Sequence, residues 1–269
     1  DDTSLPFVAA TAEPLSQPVV EGSASLRRLV ERSISDLNSL RLAERDDASH
    51  CFLAAGAPWF LTLFGRDSLI SARLLLPLDA HLALGTLRTL AGRQGRTIDV
   101  GRAEAPGKIL HEVRAEALDL LEGTVLPPEY YGTIDATPLW ITLLHRVWRS
   151  GVPDAEIVGL MDALVAALGW LADHSDPDGD GFLEYHDESG HGLANQGWKD
   201  SGDSIRFADG TIAEGPIALA EVQGYAHAAA LAGADLLEAF GRTAEERAQA
   251  DWWRQWGSAL ADRFRAAFW

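Results

Sequence analysis

The residues of this sequence best placed to do chemistry are carboxylates on short loops beside tryptophan. The stretch Asn195-Gln196-Gly197-Trp198-Lys199-Asp200-Ser201-Gly202-Asp203-Ser204 holds two of them, Asp200 and Asp203, next to an indole. Indole and phenol faces are large, flat and amphipathic, and they suit the apolar faces of sugar rings. A carboxyl group near Trp198 would lose solvent, and its pKa would rise towards that of a general acid. A polar turn closed by an Asx-type bond uses the same residues.

A second stretch runs from Pro58 and Trp59 through Phe64 to Gly65, Arg66, Asp67 and Ser68. A cation beside so apolar a run needs a partner, and an Arg–Asp pair suits bidentate recognition of vicinal hydroxyls. Asp67 at a helix start also reads as an N-cap, and so does Asp135, which precedes the apolar stretch 136–149. His111-Glu112 offers metal-type donors. No second histidine follows at the spacing of the zinc motif, so zinc is rejected.

The third candidate is the loop Ser175-Asp176-Pro177-Asp178-Gly179-Asp180-Gly181-Phe182-Leu183-Glu184. Alternating Asp176, Asp178 and Asp180, a glycine, a carbonyl at Phe182 and an acid at Glu184 match the opening positions of a calcium loop. Asp187 stands where such loops carry their last glutamate. Carboxylates this close repel one another unless a cation, protons or solvent relieve them. The expected cofactor is therefore a structural calcium ion; an Asp/Gly-rich solvated turn is the competing account.

These loops must be held by helices. Leu26, Leu29, Val30, Ile34, Leu37 and Leu40 recur at three- and four-residue steps, which predicts an amphipathic helix starting at Ser23 or Ser25. Further helices are expected at about 67–76 and 79–94, with Pro77 between them, and at 115–122, 136–149, 154–174, 215–240 and 243–267. Residues 1–22 read as an extended lead-in, and 95–114 and 175–213 as long loops. No alternating strand longer than four residues stands out. The expected fold class is all-α, with the chemistry on loops at one end.

Composition narrows the function classes. The 269 residues include 22 Lys plus Arg against 40 Asp plus Glu, a formal charge of −18. That balance argues against a nucleic-acid or anionic-membrane surface. Cys51 is the single cysteine and reads as a core residue; no intrachain disulfide is possible, and a cytoplasmic location is expected. No run is long and uncharged enough to span a bilayer. Asp1-Asp2-Thr3-Ser4 carries no targeting pattern, and the missing initiator Met is read as a processed product or a piece of something longer.

Six stretches together resemble one family: Phe64–Ser68, Gly107-Lys108-Ile109-Leu110-His111-Glu112-Val113-Arg114, Tyr131-Gly132-Thr133-Ile134-Asp135-Ala136-Thr137, the loop 176–184, Gln196–Ser201, and Glu221-Val222-Gln223-Gly224-Tyr225. In this order they are similar to the amylo-alpha-1,6-glucosidase (glycogen-debranching) family of six-hairpin glycosidases, over about residues 23–269. The resemblance implies an (α/α)6 toroid, a sugar pocket made by loops at one end, and inverting hydrolysis of α-glucosidic bonds in an oligo- or polysaccharide. It implies Asp200 as general acid and a glucose subsite of Arg66, Asp67, Glu112, Arg114 and Asp135. Gln196 and Lys199 are expected to touch substrate, with Trp59, Tyr131 and Trp198 as aromatic floor.

About seven helices are too few for a closed toroid. In the family the water-activating glutamate lies beyond the point where this chain stops. A partial toroid is therefore expected, completed by a C-terminal half or a second chain, with very weak or no hydrolysis by these residues alone. A carbohydrate-binding module without a base, and a six-hairpin hydrolase acting on trehalose-like, mannosyl or glucosylglycerate substrates, are the alternatives.

Overall fold

Ser23 opens the first helix as the spacing predicts: its hydroxyl accepts from the Leu26 N–H, and α1 runs Ala24–Ser39. The computed structural model describes residues 6–120 and 123–269. The lead-in is extended and contributes a strand. β1 (Phe7–Ala9) pairs antiparallel with β2 (Arg41–Glu44), and β2 with β3 (Cys51–Leu53). Cys51 is buried in a small cluster with Leu15, Ile34, Leu53 and Leu82, as a core residue should be.

Two helices follow, α2 (Gly65–Leu75) and α3 (Ala80–Gly92). Pro77 lies between them, and Asp79 caps α3 by accepting from the His81 and Leu82 amides at 2.8 and 3.1 Å. The loop beyond holds a 3-10 turn at Val100–Arg102 and the strand β4 (Glu112–Val113).

The helix expected at 115–122 is not formed. Leu118–Leu120 is strand β5, paired antiparallel with β6 (Thr124–Leu126); residues 121 and 122 lie outside the described residues. Gly123, at φ +90°, supplies the left-handed turn that reverses the chain. A short apolar run has no period long enough to distinguish the two states, and strand pairing decided it. β7 (Glu129–Tyr130) then pairs with β4.

α4 (Ala136–Arg149) is the hub of the helical layer. It is apolar around most of its circumference and packs against α2 and α3, and against α6 (Met161–Asp173) and α7 (Ala220–Phe240). Trp140 at its centre is fully buried, and its indole N–H donates to the Leu87 carbonyl at 3.0 Å. The helix expected at 154–174 is split at Gly159-Leu160 into a short α5 (Asp154–Val158) and α6.

α7 and α8 (Ala244–Phe268) form an antiparallel hairpin that turns at Gly241. Its two arms are tied where His227 Nδ1 meets the Gly257 carbonyl at 2.9 Å and Arg254 reaches Asp235 and Glu238. Thr243 and Glu246 close a capping box at the start of α8. Helices make up about 47% of the chain, which fixes a mostly-α class with minor sheet. No helix among the described residues is long and apolar enough to cross a membrane.

Candidate functional site

The N-terminal end of α2, the N-terminal end of α4 and the second turn of α7 converge on one cavity of about 590 Å³. Its lining includes Phe60, Phe64, Arg66, Asp67, His111, Asp135, Trp198, Asp200 and Tyr225, drawn from five separate segments. A short backbone ladder holds three of those segments together. The Gly65 N–H donates to the His111 carbonyl at 2.7 Å, the Val113 N–H to Leu63 at 3.1 Å, and the His111 N–H to Tyr130 at 2.8 Å.

Gly65 is required by that closeness. A Cβ there would stand 2.2 Å from the Leu110 carbonyl oxygen and 3.2 Å from the Ala136 side chain. The following Arg66 is thereby delivered into the protein at the base of α4.

Arg66 is buried, and two of its three guanidinium nitrogens are committed to protein acceptors. Its Nε donates to Asp135 Oδ2 at 2.6 Å, and Nη2 donates to Thr133 Oγ1 at 3.4 Å and to the Gln196 carbonyl at 3.3 Å. Thr133 Oγ1 in turn donates to Asp135 Oδ1 at 2.9 Å. The capping account of Asp135 does not hold: it occupies the N-cap position of α4, yet its carboxylate makes no cap hydrogen bond and faces Arg66. Asp67 is likewise no cap, since Phe64 holds that position. Asp67 is exposed and lines the cavity. Lost solvation pushes its carboxyl pKa up, Arg66 opposes the rise, and Asp135 and Asp200 add to it.

Asp200 lines the same cavity and is exposed. Trp198 is 61% exposed and so does not strip solvent from Asp200 as its position in sequence predicted. The loop that carries both runs over the surface. Asp203, the rival carboxylate, lies outside the cavity lining and pairs with Arg206 at 3.3 Å.

The other expected contacts divide. Glu112 is 1% exposed and pairs with Arg114 at 2.7 Å, and the Arg114 guanidinium stands 5.7 Å from the Phe64 ring centroid. Neither residue lines the cavity. Burial pushes the Glu112 carboxyl up while Arg114 opposes it. Gln196 is buried and lines a separate cavity of about 170 Å³, not this one; its carbonyl serves the site through Arg66.

Tyr131, expected as part of the aromatic floor, lies outside this cavity. Its ring is buried, its hydroxyl donates to the Arg93 carbonyl at 2.7 Å, and it borders a different surface depression near Arg102 and Glu129. Trp59 is 80% exposed and also outside the lining. Phe60, Phe64 and Tyr225 supply the aromatic wall in their place. Lys199 points outward, with its Nζ 5.4 Å from the Trp198 ring centroid. His111 was dismissed with zinc, yet it is part of the wall; its sequence signal was adjacency to Glu112, which carried no information about the cavity.

The Asp-rich loop forms a compact acidic cluster. Asp176, Asp178, Asp180 and Glu184 can each offer one oxygen with all four within 4.8 Å of one another. Backbone amides already orient the aspartates: Gly179 and Gly181 donate to Asp176, Asp180 to Asp178, and Phe182 to Asp180. Arg263 of α8 pins the Gly181 carbonyl through Nε and Nη2 at 3.1 and 2.8 Å. Glu184 is 7% exposed with Oε2 unpartnered, and its pKa is pushed up to about 7 by burial and by Asp178, Asp180 and Asp176. Such a cluster could hold a metal ion. Asp187 takes no part; its carboxylate accepts from Ser189 and Gly192 and closes the next turn.

Compared with known proteins, the chain matches no family model and no curated sequence.

Proposed function

We propose that the chain carries the sugar-binding and acid-bearing part of an inverting glycoside hydrolase acting on α-glucosidic bonds, of the amylo-alpha-1,6-glucosidase type, on an (α/α)6 scaffold of helical hairpins that these residues only partly complete. The observation that carries the reading is the convergence of Arg66, Asp67, Asp135, Asp200, Trp198 and Tyr225 on one cavity of about 590 Å³ at the N-terminal ends of α2 and α4. Carboxylates and a locked guanidinium suit a polyhydroxylated ring, and aromatic side chains on the same wall suit its apolar face.

In this reading Asp200 is the general acid. It is an exposed carboxylate on the cavity lining, within reach of a departing glycosidic oxygen in this reading, and a bound sugar would exclude water from it. Arg66 and Asp135 hold the sugar from below. Inversion also needs a carboxylate that activates water, roughly 6.5–9.5 Å from the acid; no residue of this chain is assigned that role. The acidic loop is read as a calcium site, with Asp176, Asp178, Asp180, Glu184 and the Phe182 carbonyl as oxygen ligands. Arg263 of α8 holds the neighbouring Gly181 carbonyl, so the ion and α8 would fix the same loop.

The test bypasses the unassigned base. Azide is an anionic nucleophile that needs no proton removed, so it can attack the anomeric carbon of α-glucosyl fluoride while fluoride departs. The product expected is β-glucosyl azide, with inverted configuration. Formation of the α-azide would contradict inversion, and no azide product above the buffer rate would contradict a hydrolase site.

A further inference from the structure

His111 is 3% exposed and lines the cavity beside Arg66 and Asp135. Its backbone is held on both sides, by the Tyr130 carbonyl and the Gly65 amide. Its ring meets Phe64 and Tyr130 edge-on, with centroids at 5.6 and 6.1 Å.

Neither ring nitrogen has a hydrogen-bond partner among the described residues, and Nδ1 is sealed from solvent. Burial and the charges of Arg66, Arg114 and Lys108 push the ring's pKa down to about 3, so it stays neutral. A neutral imidazole carries one N–H and one lone pair. A sealed acceptor without a partner is better tolerated than a sealed N–H, so the proton belongs on Nε2, the nitrogen that is not sealed.

The rest of the cavity is rich in acceptors. Asp67, Asp135 and Asp200 are carboxylates, and Arg66 spends Nε and Nη2 on Asp135, Thr133 and Gln196, which leaves Nη1 as its one nitrogen without a partner among the described residues. Sugar hydroxyls can donate to the carboxylates, but their oxygens then need a donor.

We infer that His111 Nε2–H is one such donor, a specificity-determining contact to one hydroxyl oxygen of a glucose-like ring in the cavity. The inference rests on the sugar-binding reading above and adds the residue that selects hydroxyl configuration.

Titration calorimetry with glucose and each monodeoxy glucose, on the wild type, His111→Phe and His111→Gln, tests it. Phe keeps the ring and removes both nitrogens; Gln restores an N–H near the position of Nε2. In the wild type, one monodeoxy sugar is expected to bind about tenfold more weakly than glucose. His111→Phe is expected to lose that same factor for glucose and nothing further for that analogue, and His111→Gln to recover most of it. Glucose binding by His111→Phe within about twofold of wild type would overturn the inference and leave the sugar site intact. No glucose binding by the wild type would sink the sugar-binding reading and this inference with it. If His111→Phe does not fold, nitrogen NMR of the histidine-labelled wild type decides. An Nε2–H tautomer whose signal moves on adding glucose supports the contact, and an Nδ1–H tautomer or an unmoved signal overturns it.

Discussion

Arg66 and Asp135 are 69 residues apart in the chain, yet Nε and Oδ2 meet at 2.6 Å with both side chains nearly sealed from solvent. The pair joins the start of α2 to the start of α4. Removing one partner strands a buried charge, which costs about 3–5 kcal/mol. Arg66→Ala is therefore expected to lower the melting temperature and to abolish sugar binding. Arg66→Lys keeps the charge but cannot reach Asp135, Thr133 and Gln196 with one planar fork; it should fold and bind sugar at least about tenfold more weakly, if each lost charged hydrogen bond is worth about 1.5–3 kcal/mol. Thermal melts and titration calorimetry on both variants check this.

Asp200 and Asp203 are three residues apart, but only Asp200 borders the cavity. If Asp200 is the general acid, its loss should matter according to the leaving group. With a sugar alcohol departing, Asp200→Asn in an enzyme complete with its base should lower turnover by roughly 10²–10⁴-fold. With fluoride departing, which needs no proton, the loss should be small. Asp203→Asn should leave both rates within a few-fold. Steady-state rates with the two substrates decide, and a uniform loss in Asp200→Asn would remove the acid assignment.

Gly65→Ala adds one methyl where the Leu110 carbonyl stands 2.2 Å away. The backbone must move, at a cost of about 1–3 kcal/mol. Because Gly65 precedes Arg66, the expected result is both a lower melting temperature and weaker sugar binding. A variant as stable as wild type would mean that the α2 start can shift freely.

Glu184 gives a pH signature. Its carboxyl ionises at an ordinary value of 4.5 when unfolded and at about 7 in the folded protein. Between those values the folded chain holds a proton that the unfolded chain has released, so stability falls as pH rises through that window. A divalent cation competes with the proton and replaces it as the neutralising charge. In chelator, the melting temperature should drop between about pH 4.5 and pH 7. Calcium should restore it, most strongly above pH 7, and Glu184→Gln should flatten the slope. A melting temperature that rises across the window in chelator would contradict the account.

Periodic segments were legible in the sequence. Ser23, Pro77, Gly241 and the apolar stretch 136–149 marked helix boundaries to within a residue or two, because caps, breakers and a three- to four-residue period act locally. The β5–β6 hairpin was missed because a three-residue strand has no period to read, and its stability comes from pairing. At the site, charged residues at helix starts were found, since a cation beside a run of aromatics must have a partner. The aromatic wall was misplaced. Nothing in sequence tells that Tyr131 turns its hydroxyl to Arg93 while Tyr225, 94 residues on, turns into the cavity. Long-range packing made that choice.

The most direct measurement of the central claim is a calorimetric titration with 1-deoxynojirimycin, a glucose-shaped amine whose cation mimics the charge of an oxocarbenium-like state. The account predicts one site per chain, at least about tenfold weaker in Arg66→Lys and in Asp200→Asn, if each loses a charged hydrogen bond worth about 1.5–3 kcal/mol, and unchanged in Asp203→Asn. No binding to the folded wild type, or binding that none of these substitutions alters, would contradict it.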